Sequence, residues 1–360
     1  MRKLHMRQTY KIIPIYTADV SGVCSALYEL GGMTVMHDPS GCNSTYNTHD
    51  EIRWYDQDSL IYISGLTEID AIMGNDEKFL NDIMDAAREL KPRFIALAGS
   101  PIPYMNGTDF PALAEVLEQE LGIPTFSVPT NGMHDYVYGA GIALEQIARQ
   151  FVSAKAVCEE KNIQPHTVNL LGVTPLDFGA YSRAGYMKKN LEKCGWKVLS
   201  TWAMGDDLEV LSHALEAEVN LVVSSVGLRT AKYLEKEFGT PYEVGYPFVD
   251  ELIPELGYER KKILIIHQQV IANAIRQEIR TRSDEQNTEV TVASWFMMKS
   301  ELSEEGDLSL KEEMDYCKLV QNGNYDIVFA DENMRGLVPG FKGTFVNIRH
   351  FAVSGKLQES

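Results

Sequence analysis

Met33-Thr-Val-Met36, followed by His37-Asp-Pro-Ser-Gly-Cys42, is the stretch on which the reading of the chain turns. Met33 to Met36 is a short apolar run with the pattern of a buried strand, and His37 to Gly41 breaks it. Cys42 falls just past the break, on the loop at the strand's carboxyl end. Open α/β sheets bind their ligands outside the carboxyl ends of their strands. A thiol placed there, on a stiff strand and a Pro-Gly turn, is a candidate ligand. Free cysteine is also among the most buried residue types, so a small core residue is the other reading. Sequence position alone leaves both open.

Outward from this stretch the pattern is β then α, repeated. Before it, Val20 to Leu30 reads as a helix ended by Gly31-Gly32, and Lys11 to Tyr16 reads as an extended entry whose Pro14 points to a sheet edge. After it, Asn43 to Asp58 is a polar and aromatic loop with Tyr46, His49, Arg53 and Trp54. Strands are expected over Leu60 to Ser64, Arg93 to Ala98 and Ile123 to Val128, with helices over Asp76 to Leu90, Phe110 to Leu121 and Tyr138 to about Glu160. Pro101 to Thr108 reads as a loop. A second block starts at His166, with helices over Ala180 to Cys194, Asp206 to Ala217 and Leu228 to Phe238. A third starts at Lys261, with helices over Val270 to Thr281 and Leu308 to Asn322. Strands alternating with helices imply α/β architecture with mostly parallel sheets covered on both faces. The expectation is three Rossmann-like domains, 1–164, 165–259 and 260–360.

The 360 residues are 44% hydrophobic and 23% charged, with a net charge of −18. That balance fits a soluble globular protein and argues against nucleic acid as a partner, because no basic stripe offsets the field. No window reaches the apolar length of a membrane helix, and the amino terminus lacks the apolar core of a signal peptide, so a cytoplasmic protein is expected. The five cysteines, Cys24, Cys42, Cys158, Cys194 and Cys317, are widely spaced with no C-x-x-C pair. A metal site must therefore draw on distant segments or a second subunit. No G-x-G-x-x-G opens a block and no P-loop occurs, so the chain is not expected to be its own ATPase. The strand-end loops are where chemistry is expected. His134 and Asp135, after Asn131-Gly132, are candidates for a proton donor and its orienter. Cys24, beside Val23 and Leu27 in a helix, fits core packing or ligation.

At these loops the chain resembles the nitrogenase component 1 family, which includes the α and β subunits of the molybdenum–iron protein and tetrapyrrole reductase subunits. His37-Asp-Pro-Ser-Gly-Cys42 is similar to the family's His-Gly-Pro-x-Gly-Cys cluster loop. Ile69 to Leu80 resembles D-x-V-F-G-G-x-x-K-L, Ser100 to Asp109 resembles Cys-Pro-x-x-x-I-G-D-D, and Val128 to His134 resembles the loop bordering the cofactor cavity. Leu221 to Leu228 and Phe238 to Tyr242 fit the second domain. The family's P-cluster subunits use three cysteines each. Here Cys42 matches one, Ser100 stands at the third position, and the first falls near Thr17 to Asp19, with Cys24 a few residues on.

The resemblance implies an interface [4Fe-4S] cluster held by Cys42, with Cys24 and an oxygen from Asp38 or Asp19, rather than a P-cluster, and a reductase rather than a true nitrogenase. It implies a homodimer, or a heterodimer or heterotetramer with a sister subunit, and an iron–sulfur ATPase reductase as electron donor. A substrate, metallocofactor or tetrapyrrole would sit near His134, Tyr181, Arg183 and His267. An assembly or carrier scaffold without turnover, and a binding subunit without a cluster, are the alternatives.

Overall fold

The computed structural model describes residues 18–39, 51–158, 162–283 and 288–355. They form two compact units, one ending at Val244 and one beginning at Gly245. The entry segment with Pro14, the loop residues from Ser40 to Asp50, and with them Cys42, lie outside the described residues.

The first unit opens with helix α1 (Asp19–Leu27) and strand β1 (Met33–His37). Strands β2 (Leu60–Ile63), β3 (Ile95–Gly99) and β4 (Thr125–Val128) complete a parallel sheet of order β2-β1-β3-β4. Every residue of β1 and β3 is buried, as an apolar run inside a parallel sheet requires. Around the sheet run α2 (Glu68–Met73), α3 (Asp76–Leu90), α4 (Pro101–Asn106), α5 (Phe110–Leu121) and α6 (Tyr136–Ile147). Phe79, Ile83 and Ala87 of α3 are spaced four apart, so one stripe packs with Leu113, Ala114 and Leu117 of α5 on Met33, Ile95 and Leu97. The prolines at 101 and 103 open α4 where a loop was expected, since proline is tolerated in a first helical turn.

Helices α1 and α6 lie against each other through glycine. A Cβ on Gly139 would come within 1.8 Å of the Asp19 carbonyl oxygen, and one on Gly22 within 2.3 Å of the Tyr136 oxygen. No residue with a side chain allows that approach.

The same unit holds a second parallel sheet of β5 (Gln164–Leu171), β6 (Lys197–Thr201), β7 (Ala217–Val222) and β8 (Tyr242–Val244), in the order β6-β5-β7-β8. Helices α7 (Ser182–Lys193) and α8 (Leu228–Phe238) belong with it. The helix expected over Asp206 to Ala217 is cut short to Leu208–Ser212 and a 3-10 turn at Ala214–Glu216. Ala217 already pairs with Gln164, so the sheet takes residues that helical spacing alone would extend.

The second unit is a parallel sheet of β9 (Lys262–Ile266), β10 (Glu289–Ser294), β11 (Leu308–Ser309), β12 (Ile327–Ala330) and β13 (Thr344–Asn347), in the order β11-β10-β9-β12-β13. Helices α9 (Gln269–Arg282) and α10 (Glu313–Gly323) flank it in sequence. Here the expected helix over Leu308 to Asn322 starts late. Leu308 and Ser309 pair with Ala293 and Ser294, and a capping box between Glu312 and Asp315 then fixes the helix start.

The three sheets are parallel throughout, as the alternating pattern implied. In each, the strand order reverses at one place: between β1 and β3, between β5 and β7, and between β9 and β12. The carboxyl ends flanking such a reversal form the crevice in which open α/β sheets bind ligands. No helix among the described residues is long and apolar enough to cross a membrane.

Candidate functional site

The first crevice is built by the residues that follow β1 and β3. His37 and Gly99 are the last paired positions, and the Ser100 amide donates to the His37 carbonyl at 3.3 Å. Asp38 and Ser100 therefore leave the sheet side by side, and both are buried. His37 Nδ1 meets the Ser64 hydroxyl at 2.8 Å, and its ring packs on Phe79 with centroids 4.1 Å apart. Burial in this apolar wall pushes the imidazole down to about 4, so it is neutral near pH 7. The Ser64 hydroxyl also accepts the Asp38 amide at 3.2 Å. The end of β1 is thus fixed up to the point where the chain continues toward Cys42. His37 also lines a cavity of about 340 Å³ walled by Leu66, Asp70, Asn75, Asn106 and Asp109.

Asp19, the first residue of α1, meets the loop after β4. It is fully buried, and its carboxylate accepts the Val20, Asn131 and Gly132 amides at 2.8, 3.1 and 2.9 Å. The start of α1 is thereby tied to the loop after β4. His134, at the end of that loop, has Nδ1 at 3.2 Å from Asn131 Oδ1 and 3.6 Å from Asp19 Oδ2. Its ring stacks on Tyr138 at 4.1 Å and keeps 40% of its side chain exposed. Asp135 caps α6 through the Val137 amide at 3.1 Å, so the groups at the His134 ring nitrogen are Asn131 and Asp19. Cys24 lies wholly inside the α1 packing, and burial, then the Glu51 carboxylate, hold its thiol far above the usual range.

Arg53, expected only as a member of the polar loop, and Ser64 brace this edge. Arg53 is buried, with ion pairs to Glu29 and Glu51 at 2.7 Å each and bonds to the Ser25 and Ala203 carbonyls at 2.8 and 3.0 Å. An arginine in a polar loop reads as surface; the only hint was the acidic residue two places before it. Ser64 likewise reads as a plain strand end.

Of the remaining candidates, Tyr181 is half exposed just before α7, its phenol pushed up by burial and then by Glu29 and Asp206. Arg183 stacks over the Tyr186 ring at 4.6 Å. His267 belongs to the second unit, at the β9–β12 reversal. It is buried, its Nε2 lies 3.0 Å from the Arg349 carbonyl, and its ring stacks on His350 at 4.4 Å. Burial and the neighbouring His350 push it well below the ordinary imidazole range.

The rim of the first crevice is apolar and open. Ile69, Ile72 and Met73 of α2 are 73%, 83% and 75% exposed, and Met105 of α4 is 77% exposed. The two helices touch, with Asn106 Nδ2 donating to the Ala71 carbonyl at 3.2 Å. Contiguous apolar patches of this kind mark surfaces that meet another molecule.

Among known proteins, the family model described as nitrogenase component 1 type oxidoreductase matches residues 22–250. A light-independent protochlorophyllide reductase subunit of Nostoc punctiforme is 26% identical over 230 residues, covering 62% of this chain and 44% of that protein. The protein of the same name from Staurastrum punctulatum is 28% identical over 236 residues, with the same shares of 62% and 44%. The chain thus spans less than half the length of these relatives. A solved structure titled "Nitrogenase Cp1 at pH 6.5" superposes with a TM-score of 0.69 over 96% of this chain and 88% of that one, at 15% identity. A second, titled "Nitrogenase Cp1 at pH 5", gives 0.67 over 98% and 86%, at 14% identity, so the likeness is one of fold.

Proposed function

The chain belongs to the nitrogenase component 1 type oxidoreductase family, and on that premise we propose that it is the electron-accepting subunit of a two-component reductase. An iron–sulfur ATPase delivers electrons to a [4Fe-4S] cluster held at the first crevice, at an interface between two such chains or with a sister subunit. The electrons pass on to a tetrapyrrole or metallocofactor substrate. The names of the curated relatives, protochlorophyllide reductase subunits, support that substrate class.

The observation that carries the reading is the apolar rim of α2 and α4 standing over buried polar groups at a sheet reversal. An electron donor must approach closely and leave again, and exposed aliphatic side chains on short helices suit a transient contact. In this reading the donors are Cys42, known from the sequence, with the buried Asp38 and the buried Ser100 Oγ, which has no hydrogen-bond partner among the described residues. Bound there, the cluster supplies one-electron transfer at low potential. His134, open to solvent and oriented by Asn131, is the proton donor in this reading, with Tyr181 and Arg183 as substrate contacts.

The test is electron transfer across the rim. With MgATP, dithionite and a purified iron–sulfur ATPase, the double variant Ile72→Asp/Met105→Asp should accept electrons about tenfold or more slowly than the wild type, the loss of roughly 1.4 kcal/mol of contact. Its iron content and circular dichroism should match the wild type. Equal rates would remove the rim from the account.

A further inference from the structure

The sheet of the second unit keeps one edge open. β11 is only Leu308 and Ser309, paired in parallel to β10, and no strand among the described residues pairs with its other side. The Leu310 amide donates to the Ser294 carbonyl at 2.8 Å. Backbone groups alternate sides along a parallel strand, so the N–H and C=O of Ser309 point away from β10. An edge of this kind is a template for a further strand.

Beside the edge lies a groove of about 400 Å³. Leu308, Leu310 and Leu319 line it, with Lys318 and Asn322 of α10. Leu308 and Leu310 are two apart, so their side chains share one face of the strand. Leu310 is buried, whereas Leu308 is 40% exposed and Leu319 is half-buried. The groove lies beyond residue 250, where the match to the family model ends.

Charge decides what fits there. Glu301 to Asp315 carries seven acidic residues and one lysine. Arg276 and Arg280 of α9 pair with Glu304 and Asp307, and the segment stays acidic after that. A second copy would bring the same charges to the same edge, in a chain of net charge −18, and would be repelled. A segment of opposite sign would be drawn in. Open strand edges beside apolar pockets take up extended peptides as added strands. The main chain supplies affinity there, and alternate side chains supply specificity.

We propose that β11 and the groove beside α10 receive an extended basic segment of a partner protein. The segment pairs with the N–H and C=O of Ser309. An apolar side chain of the segment enters among Leu308, Leu310 and Leu319, and its flanking lysines or arginines meet the acidic residues. The proposal is independent of the redox reading, since it uses no residue of the first crevice.

The test uses the full chain and fluorescence anisotropy with three labelled hexapeptides, alternating lysine–leucine, lysine–serine and glutamate–leucine. The lysine–leucine peptide should bind and slow hydrogen exchange at the Ser309 amide. Ser309→Pro removes the outward N–H and keeps the ladder to β10, because proline is tolerated where an edge N–H faces solvent. It should weaken binding about tenfold or more, and so should Leu308→Ser. Ser309→Ala, which keeps the amide, should bind as the wild type does. Circular dichroism and urea midpoints should match across the set. If Ser309→Pro fails to fold, Leu308→Ser, at an exposed side chain, carries the test. No binding up to about 1 mM peptide would overturn the proposal. So would equal binding of the lysine–serine or glutamate–leucine peptide, or equal binding by the wild type and both variants, since attraction to charge or to grease alone would explain it. A wild-type dimer in sedimentation that Ser309→Pro separates would make the occupant a second copy and would also overturn it.

Discussion

The crevices of the first two sheets have the same topology and opposite contents. At the β5–β7 reversal, Asp177 is buried and accepts hydrogen bonds from the Tyr136 and Ser224 hydroxyls. Tyr136 is the first residue of α6, so an element from the neighbouring sheet fills this crevice with its own side chain. Burial and then Asp177 hold the phenol protonated, well above its ordinary range. At the β1–β3 reversal, in contrast, the hydroxyl of Ser100 is buried with no such partner, a cavity opens beside His37, and the rim is apolar. Satisfied polar groups make a joint, and a leftover polar group marks a site. The crevice at β9–β12 lies between the two, since His267 Nδ1 is buried there with no hydrogen-bond partner among the described residues. Asp331 accepts the His350 amide at 3.0 Å, and the His350 ring covers His267.

Asp177→Ala has the largest expected effect. It strands two buried hydroxyls at the second crevice and should cost about 4 kcal/mol in urea unfolding. Gly139→Ala comes next. Its methyl group would overlap the Asp19 carbonyl, where the α1 and α6 backbones meet, and should cost about 3 kcal/mol. The third concerns pH. His267 has a folded value well below the ordinary 6.5, so its contribution to stability is present above that value and is lost as pH falls below it. Urea midpoints at pH 7.5 and 5.5 should therefore fall more for the wild type than for His267→Asn. The smallest effect is at the first crevice. In chelator-treated protein, Ser100→Ala removes an unpaired hydroxyl and should leave stability within about 0.5 kcal/mol or raise it slightly. A loss there comparable to that of Asp177→Ala would erase the difference between the two crevices.

Much of this was legible in the sequence, and for stated reasons. Helices Asp76–Leu90, Phe110–Leu121 and Leu228–Phe238 fall where apolar spacing and stop signals placed them, because their stripes face a core. Misplaced elements are those where a cap or a sheet edge overrode spacing, as at Glu312 and Ala217. The site was legible at strand ends, which is how His37, Asp38, Ser100 and His134 came to notice. Arg53, Ser64 and the Tyr136–Asp177–Ser224 joint were not, because their partners other than Glu51 are 24 to 150 residues away in sequence. No periodicity reports a contact of that kind.

In the proposed function the first crevice serves a redox group held through Cys42. Its most direct test is iron and acid-labile sulfide in protein purified without oxygen, wild type beside Cys42→Ala. The account predicts about four iron atoms and as many sulfides per pair of chains in the wild type, and their loss in the variant. A wild type that stays free of iron after anaerobic reconstitution, or a variant that keeps the full complement, would contradict it.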